Sequence, residues 1–212
     1  MIIIESKRKK IENILKKYPD AVVADVTSQA KDGLVRLSPF YPHGDIPVPF
    51  SEGYTAACVE GVWQGLKVFE DEDIDISMFS NNTMKNIKRT VRKHGRVLGH
   101  RKGVLGTEIL GYMEAKHQIY IPTYRWMLEH KAMDIIERLR KASETKTMVL
   151  LDYNTCCDVD DETRPLSHPL YHNDVRDSQC RQVRARIVNG RIISLQEQQL
   201  HPNGESYGQG EL

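Results

Sequence analysis

Residues 34–69 read LVRLSPFYPHGDIPVPFSEGYTAACVEGVWQGLKVF, a proline-rich stretch that runs into an amphipathic one. Each of the four prolines in it fixes a φ angle, which predicts a rigid loop. The following residues, 57–69, are predicted to form a helix, because their apolar residues recur at helical spacing. Four larger side chains of this helix share one stripe, since helical neighbours lie three and four residues apart: Glu60, Trp63, Gln64 and Lys67.

The stripe has two interpretations. It is either a solvated ladder with tryptophan as core filler, or part of a site, because it holds a single acid, a single amide, a single lysine and a large aromatic. The rigid loop before it favours a site, since loops with aromatic residues commonly form the walls of binding pockets.

Length, charge and cysteine use narrow the class of protein. A chain of 212 residues suits one domain, and its 30 basic and 29 acidic residues give no global field directed at nucleic acid. It contains no apolar run of about eighteen residues, and Met1–Ile4 is too short for a signal-peptide core. Four cysteines without CxxC spacing indicate a reducing compartment. We expect a cytoplasmic protein with no membrane partner, and the oligomeric state stays open.

The remaining segments predict an α+β fold that is helix-rich, with a few short strands. Residues 1–20 are expected to hold a basic helix over 5–18, residues 21–200 to form a single domain, and residues 201–212 to form a flexible tail. Further helices are predicted over 83–94, 105–118 and 131–142, with Pro122 breaking, kinking or opening a helix. Strands are predicted at 21–28 and 147–153, and a hairpin at 184–195 around Asn189-Gly190.

A basic run without any acid spans residues 84–102. On a helix over 83–94, Lys85, Lys88, Arg89 and Arg92 would lie together. Arg96 and the segment 99–103, GHRKG, predict a glycine-flanked loop that brings backbone N–H groups and cations to a phosphate. The alternatives are a solvated face and nonspecific nucleic-acid binding, which should depend steeply on salt.

Acids and metal-ligating residues gather in 150–168, LLDYNTCCDVDDETRPLSH. Asp152 closes the predicted strand, and Asp158 lies in the loop that follows, where D-x-D-D lacks the glycine and the distal glutamate of an EF-hand. A zinc site with His168 and His172 would need the adjacent Cys156 and Cys157 to face one metal. A cysteine nucleophile has no histidine obviously placed to activate it. We therefore expect no metal and no cofactor.

Taken together, these segments resemble the NADAR (YbiA-like) family over about residues 25–165. Ser38-Pro39-Phe40-Tyr41-Pro42 is similar to the family block S-N-F-Y-P, and residues 59–67, VEGVWQGLK, are similar to S/V-E-H-x-Y/F-Q-A-x-K. Gly95-Arg96 with Arg101-Lys102 resembles the next block, and residues 112–116 resemble a later helix. Asp152 and Asp158 loosely match the last block. Gly61 stands where the family has histidine, and no tryptophan follows Asp158.

The resemblance implies a compact YbiA-like domain that cleaves an N-glycosidic bond, without a metal, in a nucleobase–ribose or ADP-ribosyl adduct. Nucleic acid would then be one carrier of the modified base. The implied catalytic residues are Glu60, Asp152 and Asp158. The implied substrate-binding residues are Tyr41, Trp63, Gln64, Lys67, Arg96, Arg101 and Lys102. Two alternatives are a non-catalytic module that binds a nucleotide or ADP-ribose, and a protein that associates with nucleic acid through its basic face.

Overall fold

The computed structural model describes residues 1–156, 158, 160 and 161, and these form an α+β fold, as the sequence predicts. The strands are β1 (Ile2–Ser6), β2 (Val22–Asp25), β3 (Ile46–Pro47), β4 (Thr55–Ala56), β5 (Lys67–Phe69), β6 (Val97–Arg101), β7 (Ile109–Leu110) and β8 (Met148–Asp152). The helices are α1 (Ile11–Lys17), α2 (Val59–Gly65), α3 (Val91–His94), α4 (Tyr112–Ala115), α5 (Ile121–Lys131) and α6 (Met133–Thr145). Short 3₁₀ turns span Gly33–Leu37 and Ile76–Ser80.

A parallel sheet has β8 at its centre, in the order β1-β8-β2. Met148 is paired with both Ile2 and Val22 in the register of the sheet. All five residues of β8 are buried, which fits its continuous apolar run. The main core packs one face of this sheet against α5 and α6, and Ile14 of α1 packs with Val149 from the other face.

The N-terminal segment differs from the predicted helix over 5–18. Residues 2–6 form β1, and the helix begins only at Ile11. The reason is the run of three isoleucines, whose β-branched side chains suit a strand, together with an available edge of β8. Glu5 is buried, and Lys17 donates to its carboxylate at 2.9 Å. Residues 1–20 therefore form a strand that pairs with residues 148–152 and a helix that packs on the same sheet.

A second layer is built from the antiparallel sheet β5-β6-β7 and the hairpin β3-β4. Helix α2 lies between the two cores: Val59 packs in the main core, whereas Val62 packs in the second core with Phe79 and Leu110. The helix that carries the polar stripe is thus fixed by packing against both cores.

Three predicted elements of this layer are corrected. The helix predicted over 57–69 ends at Gly65, and Lys67 begins β5. The helix predicted over 83–94 is confined to Val91–His94, because Met84 and Asn86 have φ angles of 59° and 56°, which interrupt a right-handed helix. Most of the predicted loop at 99–103 belongs to β6, which extends over Val97–Arg101.

A continuous helical stretch from Tyr112 to Lys131 replaces the helix predicted over 105–118. Its middle, Lys116–Tyr120, is π-helical and precedes Pro122 in the first turn of α5. Because proline has no N–H group, the usual bond from position 122 to the carbonyl of residue 118 cannot form, and the wider turn accommodates the gap. Lys116, at the start of the π-helical segment, is buried.

The other predicted elements of the described chain agree with the structure. The strands predicted at 21–28 and 147–153 are β2 and β8, and the helix predicted at 131–142 is α6. The predicted hairpin at 184–195, the tail at 201–212, and the zinc candidates Cys157, His168 and His172 lie outside the described residues. Within the described residues, none of the helices combines the length and the apolar character that crossing a membrane requires.

Candidate functional site

Glu60 stands in the first turn of α2, and its backbone is fixed from two directions. Its N–H donates to the carbonyl of Pro39 at 2.9 Å, so the proline-rich loop is attached to the start of the helix. Cys58 caps the helix, and its Sγ accepts the N–H of Gly61 at 3.2 Å. The Glu60 residue is only 7% exposed. A carboxylate in the first turn also interacts favourably with the helix dipole.

A chain of three side chains runs from this carboxylate, and we call it the Glu60–Gln64–Lys67 chain. The Nε2 of Gln64 donates to Oε1 of Glu60 at 2.8 Å, and Nζ of Lys67 donates to Oε1 of Gln64 at 2.8 Å. The backbone N–H of Arg89 donates to the same Gln64 oxygen at 3.0 Å. The amide orientation of Gln64 is thereby determined, because its nitrogen faces an acceptor and its oxygen faces two donors.

Lys67 carries an unusual charge environment. Burial lowers its pKa, and the charges of Arg89 and Lys88 lower it further, whereas Glu60 opposes the shift. The ammonium group of Lys67 is consequently a stronger acid than that of a free lysine. Helical spacing predicts that Glu60, Gln64 and Lys67 lie together, and the structure places them together; their roles stay predictions.

Arg89 secures the chain from behind and is 5% exposed. Its guanidinium donates to the carbonyls of Lys67 at 2.6 Å and of Asp73 at 2.9 Å, and to the Glu72 carboxylate at 3.2 Å. The sequence places Arg89 on a basic helix face, but the segment is extended. In the structure, buried Ile87 and Arg89 alternate with exposed Lys88 and Thr90, but the sequence does not show this alternation because positions 88 and 89 are both cationic.

Trp63 is surrounded by aromatic rings. The His100 ring is stacked on it, with centroids 3.6 Å apart and planes at 28°. The rings of Tyr112 and Tyr120 meet it at 77° and 78°, at centroid distances of 6.2 and 5.3 Å. One face of Trp63, one of the implied substrate-binding residues, is therefore covered by His100 and is not open to a substrate.

His100 itself is missed by sequence reasoning. It is directly opposite Lys67 in the β5–β6 register and is 2% exposed. Neither ring nitrogen has a hydrogen-bond partner within the described chain. Burial, helped by the charge of Lys67, lowers the pKa of His100 to about 3, so the ring is neutral at physiological pH. The sequence does not predict the strand β6, because Gly99 and Gly103 are typical of a loop.

Three cations of the predicted phosphate loop are placed differently. Arg101 donates to both carboxylate oxygens of Asp73, at 2.6 and 2.7 Å. Lys102 pairs with Glu108 at 3.0 Å. Arg96 is exposed and directly precedes β6. Because Arg101 and Lys102 are neutralised by carboxylates, they are less suited to a phosphate than the sequence suggests.

The proline-rich loop contributes Phe40 and Tyr41. The Tyr41 ring contacts the ring of His43, with centroids 4.8 Å apart. The Nζ of Lys88 lies 5.5 Å from the centre of the Phe40 ring. Since the Pro39 carbonyl accepts the N–H of Glu60, Phe40 follows directly after the residue that attaches the loop to α2.

The candidate second acids lie elsewhere in the chain. Asp152, 3% exposed, ends β8, and its Oδ1 accepts the N–H of Tyr153 at 2.7 Å. Asp158 is exposed, and its Oδ1 accepts the N–H of Asp160 at 3.0 Å. Among the described residues, the hydrogen bonds of Glu60 run to Pro39 and Gln64 and reach neither aspartate.

Asp161 is connected to the aromatic rings through Lys116, whose Nζ lies 5.9 Å from the centre of the Tyr112 ring. The Asp161 carbonyl accepts from Nζ of Lys116 at 3.1 Å. Burial raises the pKa of Tyr112, with the charges of Asp161 and Cys156 adding to the shift. Tyr112 in turn contacts Trp63, so the described end of the chain approaches the stripe of α2 through Asp161. In the sequence, Asp161 is only the last acid of the D-x-D-D loop.

The glycine at position 61 has a packing explanation. A Cβ at Gly61 would lie 2.7 Å from the Met78 carbonyl oxygen and 3.3 Å from Sγ of Cys58. One turn later, a Cβ at Gly65 would lie 2.3 Å from the Phe79 ring. The two glycines therefore form the face of α2 that packs against the turn Ile76–Ser80, and a histidine at position 61 does not fit this backbone.

Two other chemistries find little support in the described residues. No group of three or more histidine, cysteine, aspartate or glutamate side chains in that part of the chain is arranged to hold a metal ion. Burial raises the pKa of the Cys58 thiol to about 11, which suits a helix cap and not a nucleophile.

The fold and the site define an α+β protein with a buried carboxylate–amide–lysine chain beside a stacked tryptophan and histidine. Residues 6–170 match the model of a family of unknown function, DUF6939, and the chain belongs to that family. No curated protein matches the chain.

Proposed function

We propose that this protein hydrolyses an N-glycosidic bond in a nucleobase–ribose or ADP-ribosyl compound, as the resemblance to the NADAR (YbiA-like) family implies. The observation that carries the proposal is the buried Glu60 carboxylate, with one oxygen held by Gln64 at 2.8 Å. A carboxylate fixed in this way is typical of a group that acts on a substrate, because its position is set before the substrate arrives.

The carboxylate suits the chemistry of the reaction. Cleavage of an N-glycosidic bond develops positive charge at the anomeric carbon, and a fixed negative group stabilises that charge in the transition state. Gln64 occupies Oε1 of Glu60, while no group of the described residues donates to Oε2. That second oxygen is left to face the sugar or to accept a proton from the attacking water.

Lys67 can supply the matching acid. The departing base gains negative charge as the bond breaks, and a proton donor close to it lowers the barrier. The lowered pKa of Lys67 brings this ammonium nearer to the operating pH, and its bond to Gln64 holds it beside Glu60. The participation of Asp152 or Asp158 as a second carboxylate stays a prediction.

The proposal is tested by replacing Glu60 with glutamine, which keeps the shape and removes the charge. The protein is incubated with nucleosides, nucleoside 5′-phosphates and ADP-ribosylated bases, and the released base is measured by chromatography. We expect release by the wild type, a loss of roughly 100-fold or more in Glu60→Gln, and no change on adding a chelator. Glu52→Gln is the matched control, since Glu52 is exposed.

Two results would count against the proposal. Glu60→Gln could retain full turnover while remaining folded, which would remove the carboxylate from the mechanism. Alternatively, the wild type could bind these compounds without releasing base, which would favour a non-catalytic module that binds nucleotides.

A further inference from the structure

His100 is a buried polar side chain whose ring nitrogens have no hydrogen-bond partner in the part of the chain that the structure describes. The residue is 2% exposed, and both Nδ1 and Nε2 are covered. Burial of a donor or an acceptor without a partner destabilises the folded state. The stacking on Trp63 does not replace such a partner, because it uses the face of the imidazole and the nitrogens lie on its edge. Packing therefore explains an aromatic ring at position 100 but not its nitrogens.

The neighbours of His100 in the sheet show from which side a partner can come. His100 lies on the central strand β6, opposite Lys67 of β5 and Leu110 of β7. Residues directly opposite each other on antiparallel strands project to the same face, with Cβ atoms roughly 4.5–5.5 Å apart. The imidazole thus has Lys67 on one side and Leu110 on the other. Leu110 is 1% exposed and apolar, whereas Lys67 is only half-buried, so a polar partner can enter on the Lys67 side.

The Lys67 ammonium group is not itself this partner. Its Nζ donates to the Gln64 oxygen at 2.8 Å and makes no hydrogen bond with His100. Burial lowers the pKa of His100 to about 3, so the ring is neutral and keeps a single N–H donor. A lysine only donates hydrogen bonds and cannot satisfy that N–H. The group that His100 needs is an acceptor, and a ligand bound beside Lys67 can supply one.

We propose that His100 is a specificity-determining residue, whose ring N–H binds an acceptor atom, such as a carbonyl oxygen, on the base of the substrate. The inference rests on the proposed function, which places the departing base at Lys67 and hence beside the residue opposite it. Trp63 fixes the plane of the imidazole before the base arrives. Since the nitrogens are covered, entry of the base requires a shift of the long Lys67 side chain. A base without the acceptor leaves the buried N–H unpaired and is rejected.

The role of His100 is tested by binding, so that turnover is not needed. Titration calorimetry compares inosine with purine riboside, which lacks the 6-oxygen, and uridine with 4-deoxyuridine, which lacks the 4-oxygen. We expect the wild type to bind the carbonyl-bearing member of at least one pair roughly tenfold or more tightly than its analogue. His100→Phe should lose this preference and keep the weaker affinity for the analogue.

A second histidine provides the matched control. His130 is stacked on Trp126, with ring centroids 4.4 Å apart, but it is exposed. His130→Phe should therefore leave the preference unchanged. Urea denaturation checks the fold of each variant, and removal of the unpartnered nitrogens of His100 should leave the midpoint unchanged or raise it. If His100→Phe does not fold, His100→Leu, with a smaller side chain, takes its place in the same comparison.

The outcomes separate this inference from the proposed function. If the preference depends on His100 but no base is ever released, the role of His100 in recognition stands and the hydrolase proposal fails. If base is released through Glu60 but His100→Phe keeps the preference of the wild type, the hydrolase proposal stands and the role of His100 is refuted. Equal affinity of the wild type for both members of each pair, or binding of none of the four compounds, also refutes it.

Discussion

A methyl group added at Gly61 should destabilise the protein, although alanine normally stabilises a helix. Replacing an interior glycine by alanine gains about 1 kcal/mol of helix stability. At position 61, however, the added Cβ would lie 2.7 Å from the Met78 carbonyl oxygen, which belongs to the backbone of a packed turn. Overpacking of this kind costs about 1–3 kcal/mol. The Cys58 sulfur at 3.3 Å adds a second close contact, so we expect a net loss of roughly 1 kcal/mol.

Gly61→His extends the same test to the residue found in the resembling family. A histidine side chain needs several times the space of a methyl group. The Met78 carbonyl oxygen already lies too close to the position of its Cβ. We expect a loss of more than about 3 kcal/mol, or failure to fold. Gly33→Ala is the matched control, since nothing lies within 4 Å of a Cβ built there, and its stability should change by less than about 0.5 kcal/mol.

Urea denaturation followed by circular dichroism measures the free energy of unfolding of the three variants and the wild type. The packing argument fails if Gly61→Ala is as stable as the wild type and Gly61→His folds with a similar midpoint. In that event position 61 has room for a side chain, and the absent histidine is a group that the site lacks.

Two further predictions concern titratable groups. Burial lowers the pKa of His100 to about 3, so the folded ring stays neutral while the unfolded ring takes up a proton below pH ~6.5. The unfolded state then binds more protons between these values, and stability falls as the pH falls through that window. We expect His100→Phe to lose less stability than the wild type between pH 7 and pH 5, by about 2 kcal/mol at most; equal acid sensitivity in urea denaturation would contradict this. Because burial raises the pKa of Cys58 to about 11, iodoacetamide at pH 8 should label it only after unfolding, and mass spectrometry that finds it labelled in the native protein would refute this prediction.

The features that the sequence predicts well are those that local spacing determines. The apolar run of β8 and the amphipathic pattern of α6 identify a strand and a helix without knowledge of their neighbours. The stripe of α2 is local in the same sense. Lys67 belongs to β5, but the intervening Leu66 still has helical backbone angles. The side chains of Gln64 and Lys67 therefore lie next to each other as they would in a helix.

The features that the sequence does not predict depend on distant partners. The strand β1 extends through Glu5 and Ser6 because residues 2–6 pair with residues 148–152, whereas the pattern over residues 5–18 predicts a helix. Arg89 lies 25 residues from Gln64 and is buried by contacts that no short window contains. His100 becomes part of the site only through its register with Lys67 and its stacking on Trp63.

The two faces of α2 explain how a seven-residue helix can hold a buried carboxylate in place. Gly61 and Gly65 bring one face against the turn Ile76–Ser80, and the missing side chains let the backbones approach closely. The polar stripe, in contrast, needs a long side chain, because Gln64 must reach both Glu60 and Lys67. Position 61 is about 100° around the helix from position 60, so glycine there removes nothing from the stripe. The departure from the resembling motif at position 61 is therefore explained by the packing of this face of α2.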